Sequence, residues 1–481
     1  MEGNLALNLA RRAETYGWRD RPLFHTDDRV YTHGQIHDAA ERAAGVLYAA
    51  GVRLGHRVLI ALPDSAGLVA ALLGTLRLGA LAVLAGPGQS ADDHAHVLAD
   101  AQPSLVVCGF ELAGRFPGVR VLTPEDLTGE PAYRPPAARV PPGHAAYVQY
   151  TSGTTGRPKG AVHRHGDPPV YFQALALGAL GLTPGDVVFS VSKAYGPYGL
   201  GNTIFFPMFC GGSSVLWPSP PTVDGVVEQA RRHRPTVLLT MPALYARLVE
   251  EGDPSAFASL RVAATAGEPL LPALGDRIEE FLGCPLLDGL GTTEVGHTFV
   301  SNTIARSRRG TLGLVLGPYE IDVRHADGRQ VAHGERGLLH VQGPSVLIEY
   351  LGHPDRTAEV LGRDGWLRTG DLVHVDEDGF VHHHGRAADL ELVAGASVSP
   401  LEVERALGTH RAVAEVAVVG DGAGGLRAFV VLSGPYPPSA VLERELRALA
   451  PPGKVPHAVT FLTELPRTAA GKLRRIALRQ A

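Results

Sequence analysis

The chain has 481 residues, 45% of them hydrophobic, which is more than one core normally sustains, so two or more domains are expected. A net charge of −5 and a pI near 6.5 give no global basic field and argue against nucleic acid as a partner. The first residues lack the basic and apolar regions of a signal peptide and no apolar run reaches membrane-spanning length, so the expectation is a cytoplasmic protein with no membrane partner.

In chain order, residues 36–50 show helical apolar spacing, 57–62 read as a buried strand, 68–78 as a helix and 80–84 as a second strand. Strand-like runs recur at 104–108, 187–190, 213–217, 236–239 and 261–264, with a helix over 223–232. This alternation predicts an α/β fold built on parallel sheets. From about Gly313 the pattern changes to short strands with polar turns, at 319–325, 337–342 and 379–384, which predicts a β-rich subdomain closing the large region. A smaller α+β unit follows, with helices at 400–407 and 439–449 and strands at 414–419 and 428–432. The large domain is expected over residues 1–385 and the small one over 390–481.

The stretch from Tyr150 to Gly160, YTSGTTGRPKG, packs hydroxyls, glycines and one lysine together as polyphosphate handling requires. Gly153, Gly156 and Gly160 let backbone N–H groups approach phosphate oxygens, Thr151, Ser152, Thr154 and Thr155 add hydroxyl donors, and Lys159 adds charge. It is not a Walker A loop, because Pro158 precedes the lysine and Gly160 follows it where that motif needs Ser or Thr. A structural Gly/Ser/Thr turn is the alternative.

Of the 44 Lys and Arg residues only Lys159, Lys193, Lys454 and Lys472 are lysines, so lysine is kept where a compact point charge serves and a guanidinium fork does not. Lys159 and Lys472, in glycine-rich contexts, read as ligand-approaching; Lys454 reads as surface retention, and Lys193 is open between the two. Cys108, Cys210 and Cys284 are isolated and read as buried small residues. The run His382, His383, His384 cannot converge on one ion from a strand, whose successive side chains face opposite ways. The basic runs 231–234 and 306–309 read as a solvated helix end or loop.

Together with AGEPL at 266–270, DGLGTTE at 288–294, WLRTGD at 366–371, Gly385-Arg386 and PRTAAGK at 466–472, the phosphate loop resembles the ordered motifs of the adenylate-forming superfamily of acyl-CoA and aryl-CoA synthetases, peptide-synthetase adenylation domains and luciferases. The likeness spans roughly residues 10–475. It implies ATP and Mg²⁺ as cofactors. The backbone of Gly267, Glu268 and Pro269 would lie against the adenine ring, with Asp288 and Gly289 also on the nucleotide. Thr292, Thr293 and Glu294 offer the oxygens a hard cation prefers, Asp371 would accept both ribose hydroxyls beside Arg386, and Lys472 would join carboxylate and α-phosphate during adenylation.

A narrower resemblance, carried by SKAYGPYGLGN at 192–202 and LGTTEVGHTFVSN at 290–302, is to the benzoate-CoA ligase branch, which activates aryl acids. It implies an acyl pocket with Tyr198 and Gly199 as a wall, Ala264, Thr265 and Gly291 as the floor, and His297 near the carboxylate or ring. Gly196 and Pro197 replace a bulkier pair, which reshapes the pocket for a substituted benzoate. The hinge, expected at 386–389, carries Ala388 at its usual polar position, and Leu392 and Ala394 replace the lysine and serine of the turn ending at Gly395, which the family brings to the thiol channel. The acceptor is therefore read as coenzyme A first, a carrier-protein phosphopantetheine arm second and a non-thiol nucleophile third.

Overall fold

In the computed structural model, which describes residues 3–151, 157–393, 396–434, 436–467 and 472–480, the expected alternation becomes two large sheets sandwiched by helices. One sheet aligns Val121–Leu122, Leu105–Cys108, Arg57–Ala61, Leu81–Leu84, Ala145–Tyr150 and Gly160–Arg164; all pairs are parallel except the last, a hairpin. Leu81–Leu84 is buried along its whole length, as a parallel strand covered on both faces must be. The helices His33–Ala49 and Ala66–Arg77 pack together here; a Cβ on Gly74 would stand 3.0 Å from both the Ala43 Cβ and the Ala44 nitrogen, so any larger residue would push the helices apart by a few tenths of an ångström.

The other sheet has nine strands, with Val187–Ser190, Val237–Thr240, Val262–Thr265 and Leu286–Gly291 at its parallel centre. The carboxyl ends of these strands feed the segments 191–199, 266–271 and 292–297, the side of an open α/β sheet where ligands bind. Leu200–Phe205, directly after Tyr198 and Gly199, is π-helical, a local widening common at functional sites and not anticipated from apolar spacing.

The β-rich subdomain is a four-stranded antiparallel sheet of Glu320–Arg324, Gly337–Gln342, Leu367–Val375 and Val381–Arg386. The last strand starts later than the pattern suggests because the Asp376 carboxylate accepts from the Asp378 and Phe380 N–H groups at 3.0 and 2.9 Å, tying the preceding residues into a turn. The C-terminal unit joins a hairpin (Glu391–Val393 with Ala396–Val398), the helices Pro400–Leu407, Ala440–Leu449 and Arg475–Gln480, and a sheet of Val413–Gly420, Leu426–Leu432 and Ala458–Leu462. It docks on the large region through Arg467, which engages Glu268 on one side and Glu415 on the other, and through the Gly434 N–H, which donates to Glu250 at 3.3 Å.

The minor sequence expectations resolve simply. All three cysteines are buried and free. Arg231, Arg232 and His233 form the last turn of a helix, and Arg308 pairs with Asp376 and Asp378 at 2.7 and 2.6 Å. Lys193 is structural: its ammonium donates to the Trp217 carbonyl at 2.6 Å. Lys454 is not a loose surface charge but pairs with both Glu402 oxygens at 2.7 Å. Among the described residues no group of three His, Cys, Asp or Glu side chains could hold a metal, and no helix is long and apolar enough to cross a membrane.

Candidate functional site

The phosphate-loop hairpin is closed at its base by reciprocal bonds, Thr151 N–H to the Lys159 carbonyl at 2.9 Å and Lys159 N–H to the Thr151 hydroxyl at 3.3 Å. Ser152, Gly153, Thr154, Thr155 and Gly156 lie outside the described residues. Gly160 has a packing reason: a Cβ there would stand 2.7 Å from a Val148 methyl, so close strand packing by itself requires a glycine. The Lys159 ammonium sits 5.0 Å from the centre of the Tyr350 ring, and the Tyr350 hydroxyl donates to Glu294 at 2.6 Å. Tyr350 was invisible as a site residue in the sequence, since an aromatic at a strand-poor loop carries no motif.

Glu294 lies on the short turn Thr293–Val295, capped by the Thr292 hydroxyl, which accepts from the Val295 N–H at 3.3 Å. The Thr292 oxygen expected to face a cation thus also serves as a cap, with one lone pair left over. Thr293 is held through its carbonyl by His163 at 2.8 Å, and His163 is oriented in turn by Asp167 at 3.1 Å.

Asp371 and Arg386 are directly opposed in neighbouring strands, which brings the Arg386 Nε to 3.2 Å from the Asp371 Oδ1. His383 reaches the same oxygen at 3.2 Å, so the histidine run, weighed above only for metal, contains a partner of the ribose candidate. Burial pushes the Asp371 carboxyl upward, but Arg386 and His383 outweigh it and hold the group below the usual carboxylate range. Its other oxygen is buried without a partner among the described residues, leaving acceptor capacity for a ligand's hydroxyls.

Gly267 takes φ +93°, a left-handed turn that favours glycine, and a Cβ built on it would lie 3.9 Å from the Lys472 Cε. Pro269 follows, partly exposed. The Glu268 side chain is engaged by the C-terminal unit: Arg467 donates to both its oxygens at 2.9 and 3.1 Å and the Leu473 N–H to one at 2.7 Å, which leaves its backbone free of these contacts. Lys472 lies within electrostatic reach of Glu294, Glu268, Asp371 and Arg386; burial and Arg386 lower its pKa against the three carboxylates. Motifs spread over residues 268–472 thus meet at one ammonium group.

On the other side of the strand ends, His297 is buried with its ring 5.3 Å from both Tyr171 and Tyr198 and 4.9 Å from Phe206. Its Nε2 lies 3.3 Å from the Tyr198 carbonyl oxygen, its Nδ1 has no partner among the described residues, and burial lowers its pKa to about 3, so it is a neutral imidazole. The Tyr198 phenol is raised by burial and by nearby Asp288. Asp288 itself, with one oxygen unpartnered among the described residues, is pushed up to about 8 by burial. Tyr171 and Phe206 complete an aromatic cage that single-residue reading missed, because both look like ordinary core.

The glycines expected at the acyl pocket (Gly199, Gly291) and on the nucleotide (Gly289) each sit against neighbouring backbone. A Cβ on Gly199 would come within 2.2 Å of the Lys193 carbonyl oxygen, one on Gly291 within 2.7 Å of the His297 carbonyl oxygen, and one on Gly289 within 2.9 Å of the Val300 carbonyl oxygen. These glycines permit backbones to touch, and their Cβ directions face protein rather than a cavity. Ala264 and Thr265 are buried at the end of their strand, the Thr265 hydroxyl without a partner among the described residues. Ala388 lies in a 3₁₀ turn, Ala387–Asp389, directly after the strand ending at Arg386, and Gly395 and Ala394 fall outside the described residues.

Residues 9–351 match the family model for AMP-binding enzymes and residues 402–472 that for the AMP-binding enzyme C-terminal domain. A p-hydroxybenzoic acid–AMP ligase of Mycobacterium tuberculosis is 44% identical over 489 residues, covering 99% of this chain and 69% of the relative. A benzoate–CoA ligase of Thauera aromatica is 32% identical, covering 99% of this chain and 96% of its own. Among solved structures, the anthranilate CoA ligase AuaEII in complex with anthranoyl-AMP superposes with a TM-score of 0.93 at 30% identity, over 99% of this chain and 96% of that one.

Proposed function

Because the chain belongs to the AMP-binding enzyme family of adenylate-forming ligases, in its benzoate-CoA ligase-like branch, we propose that it activates an aryl carboxylic acid of the benzoate class with ATP and passes the acyl group to a thiol. The observation that carries this reading is the convergence of Lys472, Glu294, Asp371 and Arg386 beside an aromatic cage built on a neutral histidine.

In the first half-reaction a carboxylate oxygen attacks the α-phosphorus of ATP, the bond to the bridging oxygen breaks, and pyrophosphate leaves with that electron pair. Lys472 neutralises charge that builds between the attacking oxygen and the α-phosphate. Lys159, with the hydroxyls of its loop, holds the outer phosphates. Asp371 takes the ribose hydroxyls and is kept ionised by Arg386 and His383. Asp288 and the Gly267 turn border the base, and Tyr198 and His297, backed by the buried rings of Tyr171 and Phe206, hold the ring and carboxylate of the acid. In the second half-reaction a thiol sulfur attacks the acyl carbon and AMP leaves.

Mg²⁺ fits the donor set. A single half-buried carboxylate, Glu294, with Tyr350 on one of its oxygens, suits an ion that keeps its waters and is held mainly by substrate phosphates. When bound, the ion would neutralise negative charge on the phosphates.

For domain roles we assign residues 1–385 to the adenylation domain, 386–389 to a hinge and 390–481 to a mobile C-terminal domain. Coenzyme A is the first reading of the thiol. A carrier-protein phosphopantetheine arm is the second, favoured by the 44% identity to an acid–AMP ligase against 32% to a benzoate–CoA ligase, and by Leu392 and Ala394 in the turn. The test is exchange of labelled pyrophosphate into ATP across a panel of acids. Benzoate, hydroxybenzoates and aminobenzoates should support it far better than acetate or decanoate. A panel led by acetate or decanoate ends the aryl assignment, and thioester yield with coenzyme A against a loaded carrier separates the two acceptors.

A further inference from the structure

We propose that Glu268 is a positioning residue for Lys472 and not a nucleotide ligand, an inference that rests on the adenylation role given to Lys472 above. Glu268 stands on the turn after the strand Val262–Thr265, next to Gly267. Arg467 Nη1 donates to its two oxygens at 2.9 and 3.1 Å, and the Leu473 N–H donates to Oε1 at 2.7 Å. These donors lie on either side of the segment that carries Lys472. Arg467 and Leu473 are themselves bridged as antiparallel neighbours, and the Arg474 N–H donates to the Pro466 carbonyl at 2.8 Å. One carboxylate from the large region therefore grips both ends of the loop.

The other Arg467 nitrogen engages Glu415 in the C-terminal sheet. A single guanidinium thus ties the turn beside the nucleotide, the loop and the C-terminal sheet together, and a charged fork fixes direction as well as distance. The result is that Lys472 is held against Gly267, its Cε 3.9 Å from where a Cβ would be. A nucleotide amino group would have to displace a charged fork and a backbone donor to use this carboxylate, whereas Asp288 nearby keeps an oxygen unpartnered among the described residues. Rotation of the C-terminal domain would have to break the same contact, so the clamp favours the arrangement in which Lys472 faces the phosphates.

The experiment compares wild type with Glu268→Ala, Arg467→Ala, the double variant and Arg467→Lys in the full chain. Adenylate formation, thiolysis of supplied aryl-AMP, and acetylation of Lys472 relative to Lys159 by an amine-reactive reagent are followed. The expected result is a fall in adenylation kcat of about 100-fold, the loss that a misplacement of about 1 Å produces, with ATP KM within about threefold of wild type. Thiolysis should persist, Lys472 should acetylate faster in both single variants, the double variant should lose little more than either, and Arg467→Lys should recover part of the rate. An ATP KM raised about tenfold at unchanged kcat would make Glu268 a nucleotide ligand and overturn the proposal, as would additive losses or an equal loss of thiolysis. If wild type adenylates no aryl acid while Lys472 labelling still rises in the variants, the functional reading fails and the clamp stands; an active wild type with unchanged labelling and kcat in the variants sinks the clamp alone.

Discussion

Asp371 and Asp288 are both buried carboxylates of the candidate site, yet their pKa values are displaced in opposite directions. Asp371 has a guanidinium and an imidazole on one oxygen, whereas Asp288 sees Arg309 and Arg405 only at long range and burial dominates, giving it a pKa of about 8. Between the ordinary value of 3.8 and about 8 the folded protein keeps a proton on Asp288 that the unfolded chain has lost, so this group makes the ligand-free protein less stable as pH rises through that window. Asp288→Asn removes the effect: the loss of melting temperature between about pH 5 and about pH 8 should be smaller in the variant than in wild type, and an unchanged or steeper loss would refute the assignment. For Asp371→Asn the expectation is weaker ATP binding by about 1.5–3 kcal/mol, the worth of hydrogen bonds to a charged acceptor, read as ATP Kd by calorimetry. Tyr198→Ala should raise the KM for the aryl acid, costing about 1–3 kcal/mol of recognition, while ATP KM stays near wild type; a change confined to ATP would misplace the pocket.

At the scale of elements, the C-terminal unit is pinned by a buried ion pair. Arg475, on the last helix, donates to both Glu404 oxygens at 2.6 and 3.0 Å and to the Val418 carbonyl at 2.7 Å, and Glu404 also accepts from the Val418 N–H at 2.8 Å. Arg475→Ala leaves a buried carboxylate without its cation and should destabilise this unit by about 3–5 kcal/mol, measured by urea unfolding followed by hydrogen exchange in residues 400–432. The helices and strands themselves were legible: the spacing of apolar residues located the helix Pro400–Leu407 and the strand Val187–Ser190 at their observed bounds, because period and burial are written in the residues. The π-helical Leu200–Phe205 was not, since a local shift of hydrogen-bond register leaves no trace in the spacing of apolar residues.

For the whole molecule, the prediction concerns the separability of the two half-reactions. Lys472→Ala should reduce aryl-AMP formation by about 10²–10³-fold, as loss of one positioned donor does, and spare thiolysis of preformed aryl-AMP. Pyrophosphate release and thioester formation measured separately would show it, and equal loss of both would contradict the placement of Lys472 on the adenylation side. By itself the sequence determined the α/β class, the two-part organisation, the family and the residues that bear charge, because phosphate chemistry demands glycines, hydroxyls and a lysine at fixed spacing. Only the tertiary structure decided which of them meet. His383 meets Asp371 through strand register, Tyr350 meets Glu294 across a loop, and the Glu268 carboxylate is bonded by Arg467, about two hundred residues away in sequence. Partnership between charges depends on distance through space, and spacing along the chain does not encode it.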